Sequence, residues 1–199
     1  MDDILKTASE NRRSFYSIGK EKVLEDEQII DMVRHRVKYA PSAFNSQSAR
    51  VLVLLGREHD RLWDLVKEVL KKHLSEERFP KTEEKLDTFR SGYGTILYFE
   101  DRTTVGGLQE RFPRYHDTFP VWSMQSSGML QYSLWISLEQ AGFGASLQHY
   151  NPLIDEEVKK TWNIPEEWEL LSQMPFGKPL ALPEEKTFVP LDQRIKIFK

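Results

Sequence analysis

The sequence predicts a mixed fold of the α/β or α+β class, and two observations carry that prediction. Three short apolar runs, 49–55, 94–99 and 168–174, read as core strands, and stretches with helical periodicity separate them. One of those stretches, 119–141, is apolar on nearly every side, which marks a central core helix. At 199 residues the chain can bury a sizeable core as one domain, 1–199.

Taken in order, residues 2–11 form a short helical stretch that ends in Arg12-Arg13-Ser14-Phe15-Tyr16, and Gly19 closes the loop that follows. Asp26 or Glu27 starts an amphipathic helix with Ile29, Ile30, Met32, Val33 and Val37 inward, stopped by Pro41. The loop Pro41-Ser42-Ala43-Phe44-Asn45-Ser46-Gln47-Ser48 is short and hydroxyl-rich, and it feeds the strand 49–55, which Gly56 ends. Residues 58–75 carry Leu62, Leu65, Val66, Val69 and Leu70 on one stripe, with Lys67, Lys71 and Lys72 as a solvated face. A further charged helix spans 81–89, and the second strand, from Gly94, ends at Glu100-Asp101.

The central helix has Asp117 or Thr118 available as its cap and Pro120 in its first turn, where the missing N–H costs nothing. Val121, Trp122, Met124, Met129, Leu130, Tyr132, Leu134, Trp135, Ile136 and Leu138 surround the cylinder. Ser126, Ser127, Gly128, Ser133 and Ser137 leave room for another backbone to approach. About 22 residues at 1.5 Å each span roughly 33 Å, the width of a small domain. Gly142 is placed to take the left-handed conformation that ends the helix. Residues 152–162 are helical, and the third strand stops at Pro175. The tail 179–199, broken by Pro179, Pro183 and Pro190, lies across another surface instead of folding on itself.

Composition excludes several classes. The chain has 28 basic and 31 acidic residues, net −3, so nothing marks it for nucleic acid. Without cysteine there is no disulfide, thiolate nucleophile or zinc–thiolate site, and five scattered histidines show no metal spacing. The start, Met1-Asp2-Asp3, is acidic where a signal or transit peptide is basic. The longest aliphatic run, 51–55, is too short for a bilayer, so a cytoplasmic protein that binds no membrane is expected. Gly142-Phe143-Gly144 follows a helix, the reverse of the order in a dinucleotide fingerprint. His149 reads as a structural hydrogen-bonding residue.

Four segments together resemble the FMN-dependent nitroreductase family: Asn11-Arg12-Arg13-Ser14, the loop from Ala40 to Gln47, the helix leading into Gly142-Phe143-Gly144-Ala145-Ser146, and Met174-Pro175-Phe176-Gly177. Ser48-Ala49-Arg50, Tyr98-Phe99-Glu100-Asp101 and the run from Leu147 to Pro152 look like one branch of that family, named after a fungal fatty-acid-repression mutant. The resemblance spans essentially the whole chain. It implies an α+β sandwich with a mixed or antiparallel sheet, and a homodimer with two FMN molecules at the subunit interface. It further implies that the long helix forms much of the dimer core and that the tail wraps the partner. The implied activity is ping-pong transfer of hydride from NAD(P)H through flavin N5 to a nitroaromatic or quinone-like acceptor.

The residue chemistry fits those roles. A dianionic phosphate wants fixed positive charge and donors. Taken alone, Arg12 and Arg13 read as a solvent-facing pair after a helix; beside the other segments they resemble, with Ser14, the family's phosphate contacts. Tyr16 stands where relatives commonly carry a second basic residue, so one phosphate or ribityl contact is either absent or made by its phenol. Lys186 resembles a phosphate-contacting lysine. Pro41, Ser42, Ala43, Asn45 and Gln47 belong to the loop that reaches a flavin from the partner, where hydroxyls and amides suit ribityl oxygens and the ring edge. Gly142, Gly144, Ala145 and Ser146 resemble the segment under the isoalloxazine, with glycine allowing close approach. A cation near flavin N1 stabilises the reduced ring, and Arg90, with Lys85 behind it, is the candidate. Phe44, Phe112, Tyr115 and Trp122 can line a ring-stacking pocket. The flavin carries the chemistry, so no proton-transferring side chain and no metal is nominated. Two competing readings are a flavin-binding regulatory or stress protein with incidental turnover, and a helical scaffold that binds no flavin.

Overall fold

A computed structural model describes residues 4–199; the expected start of the first helical stretch at Asp2 falls on residues 1–3, outside the described residues. The chain runs α1 (Ile4–Asn11), β1 (Ile18–Gly19), α2 (Asp26–Tyr39), β2 (Ala49–Leu55), α3 (Arg57–His73), α4 (Phe79–Arg90), β3 (Gly94–Asp101), α5 (Arg102–Arg111), α6 (Phe119–Gln140), β4 (Gly144–Ala145), α7 (Asp155–Trp162) and β5 (Trp168–Pro179). The fold is α+β. Its antiparallel sheet has the order β1-β5-β3-β2, and β4 also pairs with β5.

Strand β3 is buried along its whole length because helices cover both faces of the sheet. Its alternation decides which side chain meets which layer. Leu97 and Phe99 face α3, α4 and α7 through Leu62, Trp63, Leu86, Phe89 and Val158. Ile96 and Tyr98 face α2 and α6 through Ile29, Val33, Leu130, Leu134 and Leu138.

Four expectations are corrected. Pro175 does not stop the third strand, which continues to Pro179. Pro175 lies opposite Thr95 of β3, and its carbonyl accepts the Ser146 N–H on the other side (3.3 Å). In a strand the N–H and C=O of one residue point the same way, so the missing donor faces away from β3 and that ladder survives. Helix α5 is an addition, with Gly106 and Gly107 at its centre and Asp101 capping it by accepting from the Thr104 N–H (3.1 Å). Thr118 holds the N-cap position of α6, but its side chain makes no capping bond, and Asp117 pairs with His116 instead. Finally, α6 is covered on one side only. Val121, Met124, Met129 and Tyr132 form an exposed apolar stripe, with Val121 at 53% exposure. A helix apolar all round needs cover on every side, and one chain supplies it on one.

Gly142 takes φ +89° and closes α6 in the left-handed region. After β5 the tail carries a single 3-10 turn, Leu191–Gln193, and leaves Leu182 and Phe198 about nine-tenths exposed (90% and 91%). Among the described residues, no helix is long and apolar enough to cross a membrane.

Candidate functional site

The stretch after α1 is extended, so its side chains fan out where the helix stops. Phe15 donates its N–H to the Ala145 carbonyl (2.9 Å), and Ser14 bridges Ala145 in parallel, which fastens this segment to the end of α6. Beyond β5 the tail returns, with Leu180 donating to the Ser17 carbonyl (3.0 Å). Between them lies a cavity of about 680 Å³, lined by 12–17 and 181–186. Arg12, Arg13, Ser14, Tyr16 and Lys186, far apart in sequence, therefore share one concavity. The Arg12 guanidinium lies 4.4 Å over the Trp135 indole, which fixes its plane. Arg13 donates to the Glu184 carbonyl, and the Lys186 ammonium sits 5.1 Å over the Phe188 ring. Three cations, a hydroxyl and a phenol make a donor set that suits a phosphate dianion. Glu184 and Glu185 also line this cavity and limit its positive charge.

Gly142 closes α6, and after it Gly144 and Ala145 meet Phe15 and Ser14 of the cavity wall, with Ser146 following. Gly144 and Ala145 pair with Gly177 and Phe176 of β5, and the buried Ser146 gives its N–H to Pro175 and accepts from the Gln148 amide (3.1 Å). A Cβ at Gly144 would lie 2.8 Å from Phe15. The close approach that glycine permits here is therefore to the chain's own N-terminal segment. These residues join the two walls of the site, and the Ser146 amide is not free to face a ring.

The loop between α2 and β2 concentrates backbone strain, with three of the four non-glycine residues of positive φ among the described residues. Phe44, Asn45 and Gln47 have φ of 54°, 51° and 49°. A non-glycine residue held there costs on the order of 1 kcal/mol, least for Asn, and such residues gather at functional sites. Gln47 donates its N–H to the Ser42 hydroxyl (3.0 Å), and Asn45 donates to the Ser42 carbonyl (3.0 Å). The loop turns Phe44 into an aromatic group with Phe112, Tyr115, Phe119 and Trp122, at centroid distances of 5.0, 6.1, 5.3 and 6.1 Å. The Trp122 ring lies 21° from parallel with Phe44. An open cavity of about 450 Å³ between this loop and α6 is lined by Pro41, Ser42, Ala43, Phe44, Trp122 and neighbouring α6 residues.

Arg50 stands at the exit of the loop; the sequence marks it within Ser48-Ala49-Arg50 and the strand 49–55 but assigns it no site role. Its Nη1 donates to the Gln47 carbonyl (2.7 Å), and its Nη2 to Asp101 Oδ2 (2.6 Å). Burial pushes the Asp101 carboxyl up, but the two hydrogen bonds from Thr104 and the charge of Arg50 outweigh it and hold it below its ordinary value. Next to it Glu100 is fully buried, and neither carboxyl oxygen has a hydrogen-bond partner among the described residues. Burial pushes this carboxyl above its usual range. A cation and a carboxylic acid in strands otherwise aliphatic were the signals available.

Arg90 and Lys85 do not join the site. Arg90 grips Asp64 of α3 through Nε (2.7 Å) and Nη2 (3.1 Å), and that hydrogen bond holds the Asp64 carboxyl below its ordinary value. The Lys85 ammonium lies 5.7 Å over Phe89. Arg90, the candidate for flavin N1, has its guanidinium engaged between α4 and α3 and lines neither of these two cavities. His149 is exposed and close to Ser146 in sequence. Among the described residues no group of three His, Asp or Glu side chains is placed to hold a metal.

Residues 10–178 match the model of the nitroreductase family. The nitroreductase FRM2 of Saccharomyces cerevisiae is 34% identical over 183 residues, which is 90% of this chain and 90% of that protein. The structure of the nitroreductase CinD from Lactococcus lactis in complex with nicotinic acid is 44% identical, with a TM-score of 0.92 over 98% of this chain and 100% of that one. CinD structures with chloramphenicol and 4-nitrophenol are each 43% identical, with TM-scores of 0.90 and 0.89. A proposed nitroreductase from Desulfovibrio desulfuricans in complex with FMN shares the fold at 19% identity, with a TM-score of 0.70 over the whole of this chain and 99% of that one.

Proposed function

The chain belongs to the nitroreductase family of flavoprotein oxidoreductases, and from that premise we propose that it is a cytoplasmic, homodimeric FMN enzyme that oxidises NAD(P)H and reduces nitroaromatic or quinone-like acceptors. The observation that carries this reading is the cavity that gathers Arg12, Arg13, Ser14 and Lys186 from opposite ends of the chain. Those residues hold the phosphate of FMN, with Arg12 pre-oriented by Trp135 and the Tyr16 phenol as a further donor. When bound, FMN supplies the centre at N5 that takes hydride from the nicotinamide and passes it to the acceptor in a second half-reaction.

The chain's own residues bind, orient and exclude water. Within one chain the loop 41–47 and the Arg12–Lys186 cavity have no lining residue in common, which supports a reading in which the loop serves the partner's flavin. Ser42, Asn45 and Gln47 meet the ribityl chain and ring edge, and the Phe44–Trp122 aromatic group receives a flat acceptor. The apolar stripe of α6 forms the dimer core, and the tail crosses to the partner, covering its exposed leucines and phenylalanines.

The test is the visible spectrum of the purified protein, mass analysis of whatever denaturation releases, and turnover with NADH and NADPH. Released FMN with nicotinamide-dependent reduction of 4-nitrophenol or a quinone is the expected result. FAD or no flavin removes the cofactor assignment. FMN without turnover leaves a binding protein and removes the enzyme.

A further inference from the structure

We propose that Arg50 is a positioning residue of the flavin site, one that holds the loop 42–47 in the conformation with which it meets the partner's flavin; the inference rests on the FMN reading above. Three residues of this loop sit in the left-handed region, and their backbone would relax if it were free. Side-chain contacts from Ser42 and Arg50 help keep it from doing so. Ser42 closes it from the inside by accepting the Gln47 N–H (3.0 Å). Arg50 pins its exit through the Gln47 carbonyl (2.7 Å) and, with the same nitrogen, the Ala49 carbonyl (3.1 Å).

Arginine is required here because two acceptors lie in different directions. Nη1 serves the loop while Nη2 reaches Asp101 (2.6 Å), a planar fork that a lysine ammonium cannot reproduce. Asp101 is itself held, since it accepts from the Thr104 N–H (3.1 Å) and hydroxyl (2.9 Å) at the start of α5. The Asp101 N–H donates to the Ser48 carbonyl (3.0 Å), which ties the same loop exit to β3. The Arg50 guanidinium also faces the Trp168 ring at 5.6 Å, which restricts its swing. The pair is largely screened from water, with 29% and 12% of the two side chains exposed. The strained loop is thereby anchored to buried β3 and to the cap of α5, which are regular elements of the scaffold.

The experiment strips the flavin and titrates FMN and riboflavin separately against wild type, Arg50→Gln, Arg50→Lys and Asp101→Asn. Titrations run well below the melting midpoint of the weakest apo variant, with visible circular dichroism recorded on the bound flavin. A loop that meets the ribityl chain and ring treats both ligands alike. Arg50→Gln should therefore lose about ten-fold in affinity for FMN and for riboflavin together. Arg50→Lys and Asp101→Asn, which each keep one side of the clamp, should lose a few-fold. The visible dichroism should change in all three. Unchanged affinity and dichroism in Arg50→Gln, or in Arg50→Lys if the first variant does not fold, overturns the proposal. A loss confined to FMN also overturns it, because Arg50 would then meet the phosphate directly. A wild type that binds neither ligand overturns the FMN reading itself.

Discussion

His59 makes this protein sensitive to acid, and the size of the effect follows from its surroundings. The imidazole is fully buried, with Nε2 3.3 Å from the Arg90 carbonyl and Nδ1 2.8 Å from the Thr95 hydroxyl oxygen. A carbonyl only accepts, so Nε2 carries the proton. The Trp63 indole donates to the Thr95 oxygen (3.0 Å), and Thr95 is left to donate to Nδ1. Every donor and acceptor in this chain is matched with a neutral histidine, and a second ring proton would face the Thr95 oxygen with its hydrogen already turned inward. Burial is the main force that lowers the pKa from 6.5 to about 4, against a smaller opposing effect of the Arg90 carbonyl. The folded value lies below the unfolded one, so between the two the unfolded chain binds more protons. The stability contributed is complete above pH 6.5 and is lost as pH falls toward 4. That gap corresponds to about 3 kcal/mol at 1.36 kcal/mol per pH unit. The assay is urea unfolding at fixed protein concentration from pH 7 to 4, for wild type and His59→Gln, whose amide can donate to Arg90 and accept from Thr95 without titrating. Wild type should lose about 3 kcal/mol more than the variant across that window. Equal losses would refute the assignment of a neutral, buried His59.

Other consequences are as direct. Placing a charge in the exposed stripe of α6, as in Met129→Glu, should yield a monomer that has lost flavin, read by sedimentation at sub-micromolar concentration. Wild type should remain dimeric there, as an obligate dimer does. Lys67→Ala should cost up to about 1 kcal/mol, because Lys67 pairs with Asp87 (2.6 Å) and Glu83 (3.3 Å), whereas exposed Lys71→Ala should leave the melting midpoint unchanged. Trp122→Ala should raise KM for an aromatic acceptor up to about ten-fold by removing a stacking partner, with a smaller change for a non-aromatic oxidant.

Much of the fold was legible because burial and periodicity agree locally. Residues 49–55 and the run from Gly94 were readable as strands since β-branched and aliphatic side chains fill them. The end of α6 was readable from Gly142. Helix α5 was not, because Gly106 and Gly107 weaken its propensity and it depends on the Asp101 cap and on packing against α6. Pro175 misled for a reason only topology supplies, namely which side of the strand needs no donor. In the site, Arg12 and Lys186 were both nominated, but their shared cavity is set by the path of β5 and the tail. The direction of Arg90 was not legible, because position in the chain says nothing about where a side chain points, and here it meets Asp64. Lys67, read as freely solvated, is ion-paired for the same reason.

The measurement that bears most directly on the central claim is a paired titration of flavin-free protein with FMN and riboflavin, in wild type, Arg12→Ala, Arg13→Ala, Lys186→Ala and Lys71→Ala. A charge-assisted contact to phosphate contributes about 1.5–3 kcal/mol, or roughly ten- to more than a hundred-fold in affinity. At least one of the three cavity variants should lose that much for FMN and almost nothing for riboflavin, while Lys71→Ala follows wild type. Equal losses for both ligands, or no loss from any of Arg12, Arg13 and Lys186, would contradict the assignment of this cavity to the FMN phosphate.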